Sequence, residues 1–242
     1  MQCAILIVVT SVFFLLFPRT DLWFSDLFYE SGNGFPMSRL GAFIALRKLG
    51  NDLTWVVAVG LALVVLGKLL LPWRASLVSP RDTLFILSTL ALGPGLVANL
   101  IFKNHWGRPR PTAIGYFHGA QPFVGVWQIS DGCASNCSFV SGEASSAIWL
   151  LTLAVLVPPR WRGLAIRILA GLAVLLSLNR IAVGGHFLSD VLLSWWMTLA
   201  VIAVAYRVLY LNPSAALTGE RLEDGLTRAG TALHRMFLRP SA

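Results

Sequence analysis

Six apolar stretches, at residues 2–17, 53–72, 83–102, 144–158, 163–182 and 189–211, decide what this chain can fold into. A helix crosses the hydrocarbon core of a bilayer with about 20 residues. Inside that core every backbone polar group has to be satisfied within the segment. The stretches therefore read as spanning helices. The first and fourth are short, so the expectation is an all-α integral membrane protein with about six transmembrane helices in a tilted bundle. Composition agrees: 56% of residues are hydrophobic and 12% charged, against about 25% charged in a soluble domain. A net charge of +8 and nine tryptophans would also suit a nucleic-acid binder. Basic loops and interfacial aromatics of a membrane protein account for both, so no nucleic-acid partner is expected.

One membrane domain is expected over residues 1–211, followed by a tail over 212–242. The first stretch has no basic region before it and no small-residue cleavage site after it, which reads as a retained helix. Cys3 lies inside it and is expected only to pack. With the N-terminus cytoplasmic, inside loops and tail collect eleven basic residues, among them Lys68, Arg74, Arg81, Arg162, Arg228 and Arg239. The outside collects eight, including Arg47, Lys103, Arg108, Arg110 and Arg180. The positive-inside rule then puts both termini in the cytoplasm. In that orientation Cys133 and Cys137 fall in the outer loop after the third helix. A disulfide there would persist in an oxidising compartment such as the periplasm. A metal pair is the rival, but no further Cys or adjacent His completes a set of ligands. The aromatic segment 21–36 is expected against the outer leaflet. In the tail, Leu222, Leu226, Ala229, Leu233 and Phe237 recur at helical spacing with Arg221, Arg228 and Arg235 off the stripe. That pattern fits a helix on the cytoplasmic membrane surface or a solvated tail.

Three polar clusters interrupt the apolar pattern: Lys103 to Pro111, Ser141 to Glu143, and Asn179 to Asp190. In a serpentine bundle all three open on one membrane face. Lys103, Arg110 and Arg180 supply cations for an oxyanion, the arginines with bidentate geometry. Ser141 and Gly142 stand where a helix N-terminus directs unpaired N–H groups at an anion. His186 and Asp190 are spaced i, i+4, which on a helix puts both on one face. A carboxylate bonded to one ring nitrogen would leave the other free to attack. Together these describe phosphoryl transfer through a phosphohistidine.

At this point the chain resembles the type-2 phosphatidic acid phosphatase and haloperoxidase superfamily. The resemblance rests on Lys103, six residues, then Arg110-Pro111; on Val140-Ser141-Gly142-Glu143; and on Asn179-Arg180, five residues, His186, three residues, Asp190. It implies that Lys103, Arg110 and Arg180 hold phosphate oxygens, with Ser141 and Gly142 completing the cradle. It implies that His186 is the nucleophile and Asp190 its orienting partner, without metal or cofactor, on a lipid phosphate at the outer face. Related members act on phosphatidic acid, phosphatidylglycerol phosphate, undecaprenyl diphosphate or lipid A phosphates.

The chain departs from the family pattern at Val140 for proline, Asn179 for serine, and Glu143 for the second histidine, which in the family protonates the leaving oxygen. Three readings of Glu143 stand: an acid/base group, a carboxylate capping the helix or pairing with an arginine, or a head-group contact. For the whole chain, a lipid phosphatase leads. A phosphotransferase using the same phosphohistidine and a non-catalytic lipid-binding or transport protein are the alternatives, and a vanadate haloperoxidase fits the membrane composition poorly. Asp131, His105, His118 and Trp106 share the outer loop and have no assigned role.

Overall fold

The computed structural model describes residues 2–237, so Arg239 lies outside the described residues. All six apolar stretches are helical, and among the described residues no strand forms. Helix α1 spans Gln2–Leu16 and α2 Arg19–Asp26. Helix α3 spans Gly41–Leu70, α4 Pro80–His105, α5 Gly142–Leu156, α6 Pro159–Ala182, α7 Leu188–Leu211 and α8 Gly219–Phe237. Four of them, α3, α4, α6 and α7, are long and apolar enough to cross a membrane. Helices α1 and α2 together make a fifth apolar unit, bent by 87° between them. Helix α5 is shorter and sits at the centre, packed against α3, α4, α6 and α7.

The outward faces are apolar. Val56 is 68% exposed, Ile168 62% and Val204 65%. Only 11% of the apolar window of α3 is buried. In water such a surface would drive association; against lipid tails it is the solvent-compatible one. The core beneath is small and partly polar. Trp149 of α5 is fully buried and donates its indole N–H to the Ile86 carbonyl of α4 at 3.0 Å. Ser145 and Thr198 bond across α5 and α7 at 2.6 Å. Small and hydroxylated residues at these crossings are what helix packing in a membrane favours, because burial of apolar area gives little drive there.

Helix α4 passes through a π-helical stretch, Ala91–Phe102, that contains Pro94. Proline has no N–H to donate and its ring clashes with the preceding turn, and a widened turn absorbs the defect. The Asn99 side chain takes up the Pro94 carbonyl at 2.7 Å. Its amide then lies against Gly142, where a Cβ would come within 2.4 Å of Asn99 Oδ1. Only glycine allows α4 to approach the start of α5 this closely.

Two sequence expectations change. Helix α3 begins at Gly41, not near residue 53, so Arg47 and Lys48 are helical and not loop residues. The charged stretch hid this, because nothing local signals that Arg47 has a partner on another helix. Segment 21–36 is not merely a surface strip. Helix α2 points Trp23 outward at 62% exposure and buries Asp21 and Ser25 completely against the bundle. Its Asp21 and Ser25 look into the protein, and Phe24 packs beside Ala144, Ile181 and Val191.

The tail forms helix α8 and packs on the ends of α3 and α4. Buried Lys68 fastens it: its Nζ lies 2.7 Å from Glu223 Oε1 and donates to the carbonyls of Pro72 and Arg74 at 3.1 and 2.7 Å. A hydrogen bond to a charged group contributes about 1.5–3 kcal/mol. Replacing Lys68 by Met should therefore speed amide exchange across residues 219–237 at least about tenfold, with exchange in α4–α7 unchanged. Mass-spectrometric hydrogen exchange in detergent checks this.

Candidate active site

The site lies where α4 ends, α5 begins, α6 ends and α7 begins. Residues 106–141 form a cap over it. Ser130 N–H bonds the Trp106 carbonyl at 3.1 Å, Cys137 N–H the Lys103 carbonyl at 3.1 Å, and Ser138 N–H the Arg108 carbonyl at 2.9 Å. Gly107 allows the first closure, with φ +65° and no room for a Cβ beside the Ser130 carbonyl. Phe102, Trp106, Trp127 and Phe139 pack edge to face under this cap. Cys133 and Cys137 bring their sulfurs to bonding distance, with Cα atoms 5.7 Å apart. The carbonyl of Asn136, inside that short loop, accepts from Arg110 Nη2 at 2.8 Å.

At the base is Arg108, fully buried. Its Nη1 donates to Asp190 Oδ1 at 2.5 Å and to Ser189 Oγ at 2.9 Å. Its Nη2 donates to Asp21 Oδ2 at 2.8 Å and its Nε to the Val124 carbonyl at 2.8 Å. The guanidinium also lies over the Phe187 ring, 4.4 Å from its centroid. One residue thus ties α2, the cap and the start of α7 together. Asp21 completes the joint by accepting from Ser189 N–H at 2.9 Å.

His186 sits beside this joint and is buried. Its Nδ1 is 2.7 Å from the carbonyl of Ser138. A carbonyl only accepts, so Nδ1 carries the proton and Nε2 keeps its lone pair. Asp190 does not make the bond that the i, i+4 spacing suggested: its Oδ2 is 3.9 Å from His186 Nδ1. The reason is local. Helix α7 starts at Leu188 with Phe187 as N-cap, so His186 precedes the helix and the helical-face argument does not reach it. Asp190 instead accepts from Phe187 N–H at 2.9 Å, as the third residue of the first turn, and from Ser138 Oγ at 2.5 Å. It orients the histidine at one remove, by holding Ser138.

Around His186 stand Arg180, Lys103 and Arg110, each close enough to act on its charge. Burial above all, and then these three cations, hold the imidazole well below its ordinary value of 6.5, so it is neutral. Burial likewise lowers the Arg110 guanidinium. A cluster of partly desolvated cations around a neutral imidazole suits a multiply charged anion. Arg47, Arg110 and Arg180 line an open pocket of about 240 Å³ whose other wall comes from Phe43 and Ile44 of α3. Among the described residues no cluster of His, Cys, Asp and Glu is arranged to hold a metal ion.

Ser141 is the N-cap of α5, its Oγ accepting from Ala144 N–H at 3.2 Å, and it is fully buried. Glu143, in the first turn, is held by two arginines. Its Oε1 accepts from Arg47 Nη2 at 2.9 Å and Nε at 3.1 Å, and its Oε2 forms an ion pair with Arg180 Nε. Of the three readings of Glu143, arginine pairing is the one realised in this conformation. Asn179 lines the same pocket and donates to the Phe43 carbonyl at 3.0 Å, joining α6 to α3. Of the outer-loop residues without an assigned role, His105 bonds the carbonyls of its own helix at 2.9 and 3.1 Å, and His118 stacks on Tyr29.

Sequence reasoning missed Arg108, Asp21, Ser138 and Arg47. Arg108 and Arg47 were read as outside-loop charges, and Asp21 is 87 residues from its partner. Asp21 shares its aromatic segment with Asp26 and Glu30, so nothing in the sequence singled it out.

The bundle and this site describe a membrane protein with a cluster of cations suited to a phosphate-like anion at one end. Comparison with known proteins agrees. The PAP2 superfamily family model matches residues 82–213. A lipid A 4'-phosphatase of Rhizobium leguminosarum is 38% identical over 207 residues, covering 78% of this chain and 87% of that protein. One of Rhizobium etli is 38% identical over 208 residues, covering 78% and 79%. One of Francisella tularensis subsp. novicida is 34% identical over 201 residues, covering 82% and 90%. No solved structure matches. The chain belongs to the PAP2 superfamily, in its membrane lipid phosphatase branch, and is an enzyme acting on lipid phosphates.

Two outcomes follow from this geometry. Arg108→Met strands Asp21 and Asp190 without a counter-charge, and breaking a buried pair costs about 3–5 kcal/mol. The thermal midpoint in detergent should fall sharply, and adding Asp21→Asn should recover part of the loss by removing one stranded charge. For His186, the unfolded chain takes up a proton near pH 6.5 and the folded chain only at lower pH, so stability is lost as pH falls below 6.5. In histidine-labelled protein, the resonance removed by His186→Gln should keep its neutral position as pH falls past about 6.5.

Proposed function

We propose that this protein removes the 4'-phosphate of lipid A by way of a phosphohistidine on His186, with the site on the periplasmic side of a bacterial inner membrane. The observation that carries the mechanism is the anchoring of His186 Nδ1 on the Ser138 carbonyl, which leaves Nε2 unprotonated among Lys103, Arg110 and Arg180. The choice of lipid A is supported by the three relatives bearing that name.

In the first step Nε2 attacks phosphorus, an N–P bond forms and the P–O bond to the lipid breaks. The lipid oxygen leaves as an alkoxide and takes a proton from solvent water. Lys103, Arg110 and Arg180 stabilise the charge on the transferring phosphoryl oxygens, and preorganised cations of this kind need no reorganisation at the moment of reaction. The backbone N–H groups of Gly142 and Glu143, at the start of α5, add to the cradle. In the second step water attacks the phosphohistidine, the N–P bond breaks, and inorganic phosphate leaves as Nε2 regains its lone pair.

Glu143 engages Arg180 and Arg47 in the ligand-free arrangement. An incoming phosphate competes for Arg180 and releases the carboxylate. Freed, Glu143 is suited to taking the proton of the attacking water in the second step. The periplasmic assignment is supported by the Cys133–Cys137 pair, which needs an oxidising compartment, and by the greater number of basic residues at the opposite end of the bundle. Both termini are then cytoplasmic.

The test is phosphate release by purified protein in detergent with chelator, from lipid A, phosphatidic acid, phosphatidylglycerol phosphate and undecaprenyl diphosphate. Lipid A should release inorganic phosphate at its 4'-position and the others much less. His186→Ala should abolish release. Accumulation of a phosphorylated acceptor in place of inorganic phosphate would overturn hydrolysis in favour of transfer. Glu143→Gln should lower kcat by about 10²–10⁴, the usual contribution of an acid/base group, and Glu143→His should restore part of it. A change confined to KM would mean that Glu143 only positions the arginines.

A further inference from the structure

A second polar cavity of about 410 Å³ lies at the other end of the bundle. It is enclosed by the start of α4, the start of α6, the end of α5 and the end of α7. The same helices α4, α6 and α7 carry Lys103, Arg180 and Asp190 at their opposite ends. Helix α4 has 26 residues, which at about 1.5 Å per residue separates the two sites by the thickness of a bilayer. This cavity therefore belongs to the opposite leaflet and has no part in the chemistry at His186.

Its lining is amphipathic. Phe85, Leu151, Ile166 and Ile202 supply an apolar wall, and Arg81 and Arg162 supply two guanidinium groups. Among the described residues neither arginine has an ion-pair partner. The one carboxylate present, Asp82, is taken up by the Tyr210 hydroxyl. Arg81 is laid over the Tyr210 ring, 4.7 Å from its centroid, and its Nε is buried without a partner. Thr152 also lines the cavity, is 2% exposed, and its hydroxyl has no partner either. Arg162 is fixed by its Nε on the Val157 carbonyl at 2.9 Å. Buried polar groups are rarely left unpaired unless something completes them. Two prepositioned cations, an unused hydroxyl and an apolar wall within one leaflet fit a phosphate with acyl chains attached.

We propose that this cavity is a second lipid site, on the face opposite the active site, which binds the phosphate of a membrane phospholipid between Arg81 and Arg162 with Thr152 donating to it. The shared chemistry is a phosphate anion. The apolar wall, placed where acyl chains run, favours the lipid over free phosphate as its source.

Native mass spectrometry of the full chain released from detergent tests this, with dioleoyl phosphatidylglycerol, dioleoylglycerol and inorganic phosphate as probes. Wild type should retain phosphatidylglycerol in preference to dioleoylglycerol. Arg81→Gln with Arg162→Gln should weaken phosphatidylglycerol retention at least about tenfold, from the loss of two charge-assisted bonds. Lipid A hydrolysis in detergent and dioleoylglycerol retention should not change. The exposed pair Arg228→Gln with Arg235→Gln removes the same charge elsewhere and should leave retention intact. Single Arg162→Gln serves if the double variant does not fold. Equal retention in the variants, an equal loss in the tail pair, or binding of inorganic phosphate without phosphatidylglycerol would each overturn the proposal.

Discussion

The buried guanidinium of Arg108 is the interaction on which the reactive end of the molecule depends. An isolated charge inside a protein is very costly, and the cost is offset only when partners satisfy it fully. Asp21, Asp190, Ser189 and the Val124 carbonyl do so from three separate parts of the chain. Removing any one leaves a buried polar group unpaired, so the set holds the cap, α2 and the start of α7 in one arrangement. Asp190 hands that order on to Ser138 through the hydroxyl, and the Ser138 carbonyl hands it to His186. The histidine is oriented by a chain of bonds that begins at a residue with no view of the substrate.

With the ring fixed, the cations around it have a consistent meaning. Lys103, Arg110 and Arg180 repel one another and disfavour a protonated imidazole. The mutual repulsion of the cations raises the energy of the empty site, and an anion among them would relieve it. Glu143 partly fills that role in the meantime by bridging Arg47 and Arg180. A histidine at this position could not, since it would add a further positive charge when protonated. The pairing of a glutamate with an extra arginine from α3 gives the departure from the family pattern a physical sense: the carboxylate balances a cation that the three motifs do not contain.

Much of this was legible beforehand. The apolar stretches announced the helices, because lipid forces backbone satisfaction within each segment. The serpentine path then put Lys103, Arg110, Ser141, Gly142, Glu143, Arg180 and His186 at one face without further information. What failed was local inference where the chain is not regular. His186 and Asp190 were read as sharing a helical face, and the helix starts two residues after the histidine. Arg47 was read as a loop charge, and it lies in the second turn of α3. Asn179 stood in the sequence only as a replacement for the family serine, and in the fold it clamps α6 to α3.

The sequence by itself determined the membrane class, the face that carries the polar clusters and the residue types available for phosphate chemistry. These follow from segment length, hydropathy and spacing, which are properties of the chain read in order. Tertiary structure alone decided who pairs with whom. Arg108 and Arg110 are two residues apart with nearly identical surroundings in the sequence, yet one is buried between two aspartates and the other faces the pocket. That division depends on where Asp21 arrives after a bend of 87° between α1 and α2. A charge's role is set by its desolvation and by the counter-charges within a few ångströms, and neither is a property of its place in the chain.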